Sequence, residues 1–328
     1  MKRLSMRITR PWPDAAERAA QQHFDVMTNP DDRQLTREEL AKALEQFDIV
    51  CPTITDRIDA KLLRSVNPRV RALCNFGAGV NHIDLAACRA AGIIVTNTPD
   101  VLTDDTADIA MLLAMMTARR AAEGERLIRA ADWTGWSPTH MMGRQFSGRT
   151  LGIVGFGRIG QAMAHRAHFG FGMRILYFAR SDGAAEIASQ MGARRVGLDE
   201  LMTAADIISL HMPGGEATRH MIDARLIGLM QSHAILVNTA RGDVIDEQAL
   251  IDALRGRRIG GAGLDVFDGE PAISPDLVAL DNAVLLPHLG SATLETRTAM
   301  GMRALANARA IADGSPAPDP VSPSLESA

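Results

Sequence analysis

Short, nearly continuous apolar runs alternate along this chain with amphipathic stretches about ten residues long. In the first third, Met6-Arg-Ile8, Asp48–Pro52, Val70–Cys74 and Ile93–Asn97 read as strands, and Ala15–His23, Leu40–Gln46 and Ala60–Val66 as helices. A longer apolar helix follows, with Ala107, Ala110, Leu113 and Met116 at helical spacing. Thr103 is placed to cap it, with Asp104 and Asp105 in the first turn. Beyond residue 150 strand and helix alternate strictly. The strands fall at 150–154, Met173–Phe178, Asp206–His211, Ala234–Asn238, Gly260–Leu264 and Ala283–Leu286. The helices fall at Gln161–Ala167, Ala184–Gly192, Asp223–Met230 and Glu247–Arg255. Strands that are apolar on both faces belong in parallel sheets covered on both sides, so the pattern predicts a doubly wound α/β protein. A last helix, Thr293–Ala312, has Thr293 as N-cap and Glu295 in its first turn. The Pro-rich tail from Gly314 reads as flexible.

The stretch Thr150-Leu-Gly-Ile-Val-Gly-Phe-Gly-Arg-Ile-Gly160 organises the second region. It places Gly155-x-Gly157-x-x-Gly160 between a strand and a helix, the context in which this spacing binds a dinucleotide. Gly155 permits the tight turn, Gly157 lets a pyrophosphate approach the backbone, and Gly160 lets the helix pack against the strand. The phosphates would meet the N–H groups around Arg158 and Ile159 at the helix N-terminus. A second glycine-rich turn, Asn75-Phe-Gly-Ala-Gly79, follows the strand ending at Cys74. Its N–H groups suit a carboxylate, although a purely structural turn explains the spacing equally well.

At 328 residues, 46% hydrophobic and 23% charged, the chain has room for two domains and the composition of a globular protein rather than a disordered or fibrous one. A net charge of −4 gives no reason to expect a nucleic-acid partner. The three cysteines, Cys51, Cys74 and Cys88, lack paired spacing, so neither a disulfide framework nor a metal site is expected. The basic N-terminus lacks the apolar core of a signal peptide, and the apolar helix is far shorter than the roughly 20 residues of a membrane span. A cytoplasmic protein without membrane partners is the expectation.

Ligands of open parallel sheets collect beyond the carboxyl ends of the strands. There stand Arg241 after Ile235–Ala240, Asp265 and Glu270 after Gly261–Leu264, and His288 after Val284–Pro287. With a nicotinamide cofactor these groups suffice for carbonyl reduction. Arg241 would grip and polarise a 2-keto acid, His288 would donate a proton, and Glu270 would hold the imidazole and favour its charged form. Each also has an ordinary structural reading, and spacing alone leaves the two even.

Four ordered motifs change that balance: the glycine fingerprint, Asn238-Thr-Ala-Arg-Gly242, Gly263-Leu-Asp-Val-Phe-Asp-Gly-Glu-Pro271 and Pro287-His-Leu-Gly-Ser-Ala-Thr293. Together they resemble the D-isomer-specific 2-hydroxyacid dehydrogenase family over nearly the whole chain. The 75–84 loop and Trp133-Thr-Gly-Trp136 look most like its glyoxylate/hydroxypyruvate reductase branch. The resemblance implies that Arg241, Glu270 and His288 are catalytic and that the backbone of Ala78 and Gly79 receives the substrate carboxylate. It also implies that Asp265 holds the nicotinamide amide, that Thr106, Thr239 and Gly290 line the cofactor, and that Trp136 lies on a dimerisation arm and reaches the partner's substrate site. Two Rossmann-like domains are implied, a substrate domain of residues 1–102 plus 290–328 and an inserted NAD(P)-binding domain of residues 103–289. A short phosphoglycerate dehydrogenase and a nucleotide-sensing corepressor share this core and remain alternatives. The strand after the fingerprint ends in Phe178-Ala-Arg180-Ser181, without the acid that would bind the ribose 2′-OH of NAD. Arg180 and Ser181 suit a 2′-phosphate, so NADP(H) is expected over NAD(H), which Asp182 could still admit.

Overall fold

The computed structural model describes residues 3–180 and 183–321. Contacts divide the chain into two units, Met1–Leu102 with Ala292–Ala328, and Thr103–Ser291. In the first unit, five parallel strands, β1 (Ser5–Ile8), β2 (Asp25–Met27), β3 (Ile49–Cys51), β4 (Ala72–Cys74) and β5 (Ile94–Thr96), lie in the order β2-β1-β3-β4-β5. Alternation sorts their side chains between two cores. Met6, Ile8, Ile49, Cys51, Ala72 and Cys74 pack with Trp12, Ala16 and Ala20 and with Ala304, Leu305 and Ala308 of the final helix. Val50, Leu73 and Val95 pack on the other face with Leu40, Leu44, Leu62 and Cys88. Side chains start the helices where turns must be made. Thr36 and Glu39 form a reciprocal capping box for the helix Arg37–Gln46, and Asp59, Asp84 and Thr293 each accept an N–H as N-cap.

The tail departs from the expectation of flexibility as far as Val321. Pro320 bridges Thr96, and the Val321 N–H donates to the Val95 carbonyl at 2.8 Å. Asp319 is buried, bonded by Arg303 at 2.6 Å through each carboxylate oxygen and by Asn307 Nδ2 at 2.9 Å. Asp319, Pro320 and Val321, within the stretch that reads as a loose Pro-rich tail, supply these anchors.

In the second unit, β6 (Thr150–Val154), β7 (Arg174–Phe178), β8 (Arg194–Arg195), β9 (Ile207–Leu210), β10 (Ile235–Asn238), β11 (Gly261–Leu264) and β12 (Ala283–Leu285) form one parallel sheet, ordered β12-β11-β10-β9-β6-β7-β8. The order reverses between β6 and β9, and in such sheets a dinucleotide lies at that switch. The helix Thr103–Ala118 includes Thr103 rather than being capped by it. It lies close against β11, where a Cβ on Gly261 would come within 2.7 Å of Thr117 and one on Gly263 within 2.9 Å of Leu113. Residues 130–149 carry no regular element, and in them Trp136 is 81% exposed and Trp133 50%. Among the described residues no helix is long and apolar enough to cross a membrane.

Candidate active site

The fingerprint turn has the shape its glycines foretold. Gly155 sits at φ +94°, and a Cβ there would strike the backbone of His211 and Met212 at 2.6–2.9 Å. A Cβ on Gly160 would meet the Gly155 carbonyl oxygen at 2.4 Å, so only glycine allows the helix Arg158–His165 to start this close to β6. Gly157 is the contrast, because a Cβ there would meet nothing within 4 Å. Its lack of a side chain keeps open the space in front of the helix N-terminus, which no side chain caps. That suits a pyrophosphate on the N–H groups beginning at Arg158 and Ile159. Next to this turn, His211 is partly buried and held neutral, its pKa pushed down to about 3 by desolvation of the ring, with Nε2 2.9 Å from Ser209 Oγ.

The strand ends bring the polar groups of this unit together. His288 Nδ1 lies 2.9 Å from Glu270 Oε2, and Glu270 Oε1 accepts the Phe267 N–H at 2.8 Å. Burial pushes the Glu270 carboxyl up, but bonding to His288, the Phe267 N–H and the charge of Arg241 together hold it below its usual value. An ionised carboxylate can only accept, so His288 Nδ1 carries the hydrogen and Nε2 holds a proton to give only when the ring is charged. His288 is fixed in the left-handed region at φ +56°, its N–H donating to the Asp265 carbonyl at 2.9 Å. Such a conformation costs a non-glycine residue on the order of 1 kcal/mol, which the loop contacts must offset.

Asp265 supplies those contacts, accepting the Leu289 N–H at 2.7 Å on one oxygen and the Gly290 N–H at 2.8 Å on the other. Its pKa is raised by burial, with these donors opposing the rise. Thr106 Oγ1 donates to the Gly290 carbonyl at 3.1 Å, and Thr239 Oγ1 is buried without a partner among the described residues. Arg241 is partly buried, and desolvation lowers its pKa against the opposing pull of Glu270 and Asp243. Its loop touches the Glu270 loop, for a Cβ on Gly242 would fall 1.9 Å from the Phe267 carbonyl carbon.

Asn238, which spacing did not single out, shapes this turn. Its buried side chain accepts the Ala240 N–H at 2.9 Å and donates to the Arg241 carbonyl at 2.7 Å. An asparagine closing a strand before Thr-Ala-Arg-Gly was its signal. Arg195 was missed as well. Paired with Tyr177 across β7 and β8, it donates to the Ala179 carbonyl at 2.6 Å, one residue from exposed Arg180. Ser181 and Asp182 lie outside the described residues. Ala78 and Gly79 belong to the first unit and Trp136 to the irregular 130–149 segment.

A switch-point glycine turn with an uncapped helix behind it, and a histidine paired with a carboxylate beside an arginine at neighbouring strand ends, define a nicotinamide-dependent oxidoreductase. A family model for the D-isomer specific 2-hydroxyacid dehydrogenase, NAD binding domain, matches residues 110–290. A glyoxylate reductase of Thermococcus onnurineus is 42% identical over 311 residues, 94% of this chain and 92% of that protein. A glycerate dehydrogenase of Hyphomicrobium methylovorum is 38% identical over 305 residues, 93% of this chain and 94% of that one. A solved NADPH-dependent glyoxylate/hydroxypyruvate reductase of Sinorhizobium meliloti, in complex with NADP and malonate, superposes with a TM-score of 0.84 at 29% identity, covering 98% of this chain and 97% of that one. The chain belongs to the D-isomer specific 2-hydroxyacid dehydrogenase family. It is an enzyme interconverting 2-keto and 2-hydroxy acids with a nicotinamide cofactor.

Proposed function

We propose that the protein is a cytoplasmic homodimer that reduces glyoxylate or hydroxypyruvate to the 2-hydroxy acid, taking NADPH in preference to NADH. The Glu270–His288 pair carries the reading, because it makes a histidine a donor only when charged. The bound nicotinamide supplies the hydride. Arg241 holds and polarises the keto group, His288 Nε2 gives its proton to the carbonyl oxygen as that oxygen becomes a hydroxyl, and Glu270 stabilises the charged ring beforehand. The N–H groups of Ala78 and Gly79 receive the carboxylate. Gly155, Gly157, Arg158, Ile159 and Gly160 hold the pyrophosphate, and Thr106, Thr239, Asp265 and Gly290 line the nicotinamide end.

Cofactor preference follows from charge at the end of β7. Arg180 stands where an acid would select NAD, and Arg195 brings a second guanidinium to the adjoining carbonyl. Ser181 would add a hydroxyl donor. Initial rates at the reduced-nicotinamide absorbance, with glyoxylate and hydroxypyruvate against each cofactor, test the reading. NADPH should give the higher kcat/KM, and Arg180→Ala should lose roughly 10-fold with NADPH and little with NADH, the range of one charge-assisted hydrogen bond. Equal efficiency of the wild-type protein with both cofactors overturns the preference.

The homodimer rests on an exposed apolar set that includes Ile128, Trp133, Trp136 and Met142, all at least half exposed. Large aromatics of this kind anchor interfaces. Trp136 is assigned to the partner's substrate site. Mass in solution should be twice that of the chain, and Trp136→Ala should change the ranking of 2-keto acids of different side-chain size. A fully active monomer overturns the interface, and an unchanged ranking in a dimer overturns the shared site.

A further inference from the structure

Every carbonyl of the 77–79 turn is bound from behind. Asn75, completely buried at the end of β4, gives both Nδ2 hydrogens to it, one to the Gly77 carbonyl and one to the Gly79 carbonyl, each at 3.0 Å. Asn97 Nδ2 donates to the Ala78 carbonyl at 2.7 Å, and the Thr98 N–H adds a second bond to Gly77 at 3.0 Å. With both amide hydrogens committed, Asn75 Oδ1 must accept, and His82 Nε2 donates to it at 2.9 Å. His82 is itself fixed, its carbonyl accepting the Ile58 N–H at 2.8 Å. Asn97 is gripped on its far side, where its carbonyl accepts from Asn307 Nδ2 at 3.2 Å and its N–H donates to the Asp319 carbonyl at 3.3 Å. Gly77 leaves room for this, since a Cβ there would stand 3.3 Å from Asn75 Nδ2. The N–H groups of Ala78 and Gly79, by contrast, find no acceptor among the described residues.

We infer that Asn75, His82 and Asn97 are positioning residues for the substrate carboxylate: by tying the three carbonyls back, they aim the Ala78 and Gly79 N–H groups at the anion and keep repelling oxygens away from it. This rests on the reading that those two N–H groups receive the carboxylate. A peptide turn left to itself can flip a carbonyl toward a ligand, and against a carboxylate that exchanges an attraction for a repulsion. Asn75 supplies the donors, His82 fixes which way round the amide sits, and Asn97 transmits the hold of the 307–319 contacts.

The test uses the NADPH-loaded enzyme. His82→Ala and Asn97→Ala should each raise KM for glyoxylate by roughly 10- to 100-fold, the loss expected when charge-assisted hydrogen bonds are misaimed. The effect on kcat at saturation should be smaller, and the Kd for NADPH should stay within about twofold. His82→Gln, whose amide can still donate to Asn75 Oδ1, should recover most of the KM, which a merely structural loss would not. In parallel, the backbone amide resonances of Ala78 and Gly79 are followed by NMR while oxalate, a carboxylate that cannot be reduced, is added. In the wild type they should shift with saturation, and in His82→Ala they should shift only at higher oxalate. If the wild-type resonances stay put, the carboxylate reading itself falls. If they shift but KM and the oxalate titration are the same in both alanine variants, the positioning role is overturned and the carboxylate reading stands.

Discussion

Replacing His288 by alanine is expected to lower the turnover of glyoxylate reduction by about 10²–10⁴, the usual contribution of a positioned general acid. The proton that becomes the hydroxyl hydrogen then has to come from water. The fall should appear in kcat, with NADPH affinity nearly unchanged. Donation from Nε2 needs a hydrogen on both ring nitrogens, since Nδ1 is committed to Glu270. Glu270→Gln should therefore lower kcat as well, because an amide offers the protonated ring no opposite charge. The carboxylate sets the limit on the acid side: Glu270 is held below the ordinary 4.5, so its charge is present above that value and is lost as pH falls through the depressed pKa. Steady-state rates across the pH range with both variants check this, and a His288→Ala enzyme with near-normal turnover sinks the assignment.

How far the sequence carried the structure depended on burial. Strands buried on both sides, such as β6, β9 and β10, wrote themselves as apolar runs and lie within a residue or two of their expected bounds. The edge strands β2 and β8 were not legible, since Asp25–Met27 and Arg194–Arg195 are largely exposed and carry no apolar period. The short helices Leu85–Ala90 and Leu198–Ala204 escaped for a related reason, each holding only one or two buried side chains. The glycine turn was readable because Gly155 and Gly160 each answer a separate steric demand, the first at φ +94° against the His211 and Met212 backbone and the second against the Gly155 carbonyl. Residues that act through hydrogen bonds across long separations left no such mark. Asn75 and Asn97 stand 22 positions apart and converge on one turn, and Asn307 and Asp319 hold a tail whose composition looked disordered. Polar side chains that pair across the fold do not repeat with any period, so only coordinates reveal them.

Arg241→Ala is expected to cost about 10²–10³ in kcat/KM, the range for removing a donor aimed at a developing oxyanion. The geometry makes the loss specific to the guanidinium. Its Nη1 donates to the Ala240 carbonyl at 2.6 Å, which steadies one arm of the fork. The backbone beneath is fixed twice, by Asn238 bonding to Ala240 and Arg241 and by Gly242 seated against Phe267 and Asp268. A shorter side chain therefore cannot be compensated by a shift of the turn. Lysine keeps the charge but is a single point with no planar fork, so Arg241→Lys should recover little of the loss. Because Arg241 also helps keep Glu270 ionised, its removal should raise the Glu270 pKa and shift the acid limb of the rate profile upward. NADPH binding, followed by fluorescence, should change less than about threefold, well short of the kinetic loss. Arg241→Lys with wild-type efficiency would overturn the fork, and an Arg241→Ala enzyme weakened chiefly in NADPH binding would move the residue from the substrate to the cofactor.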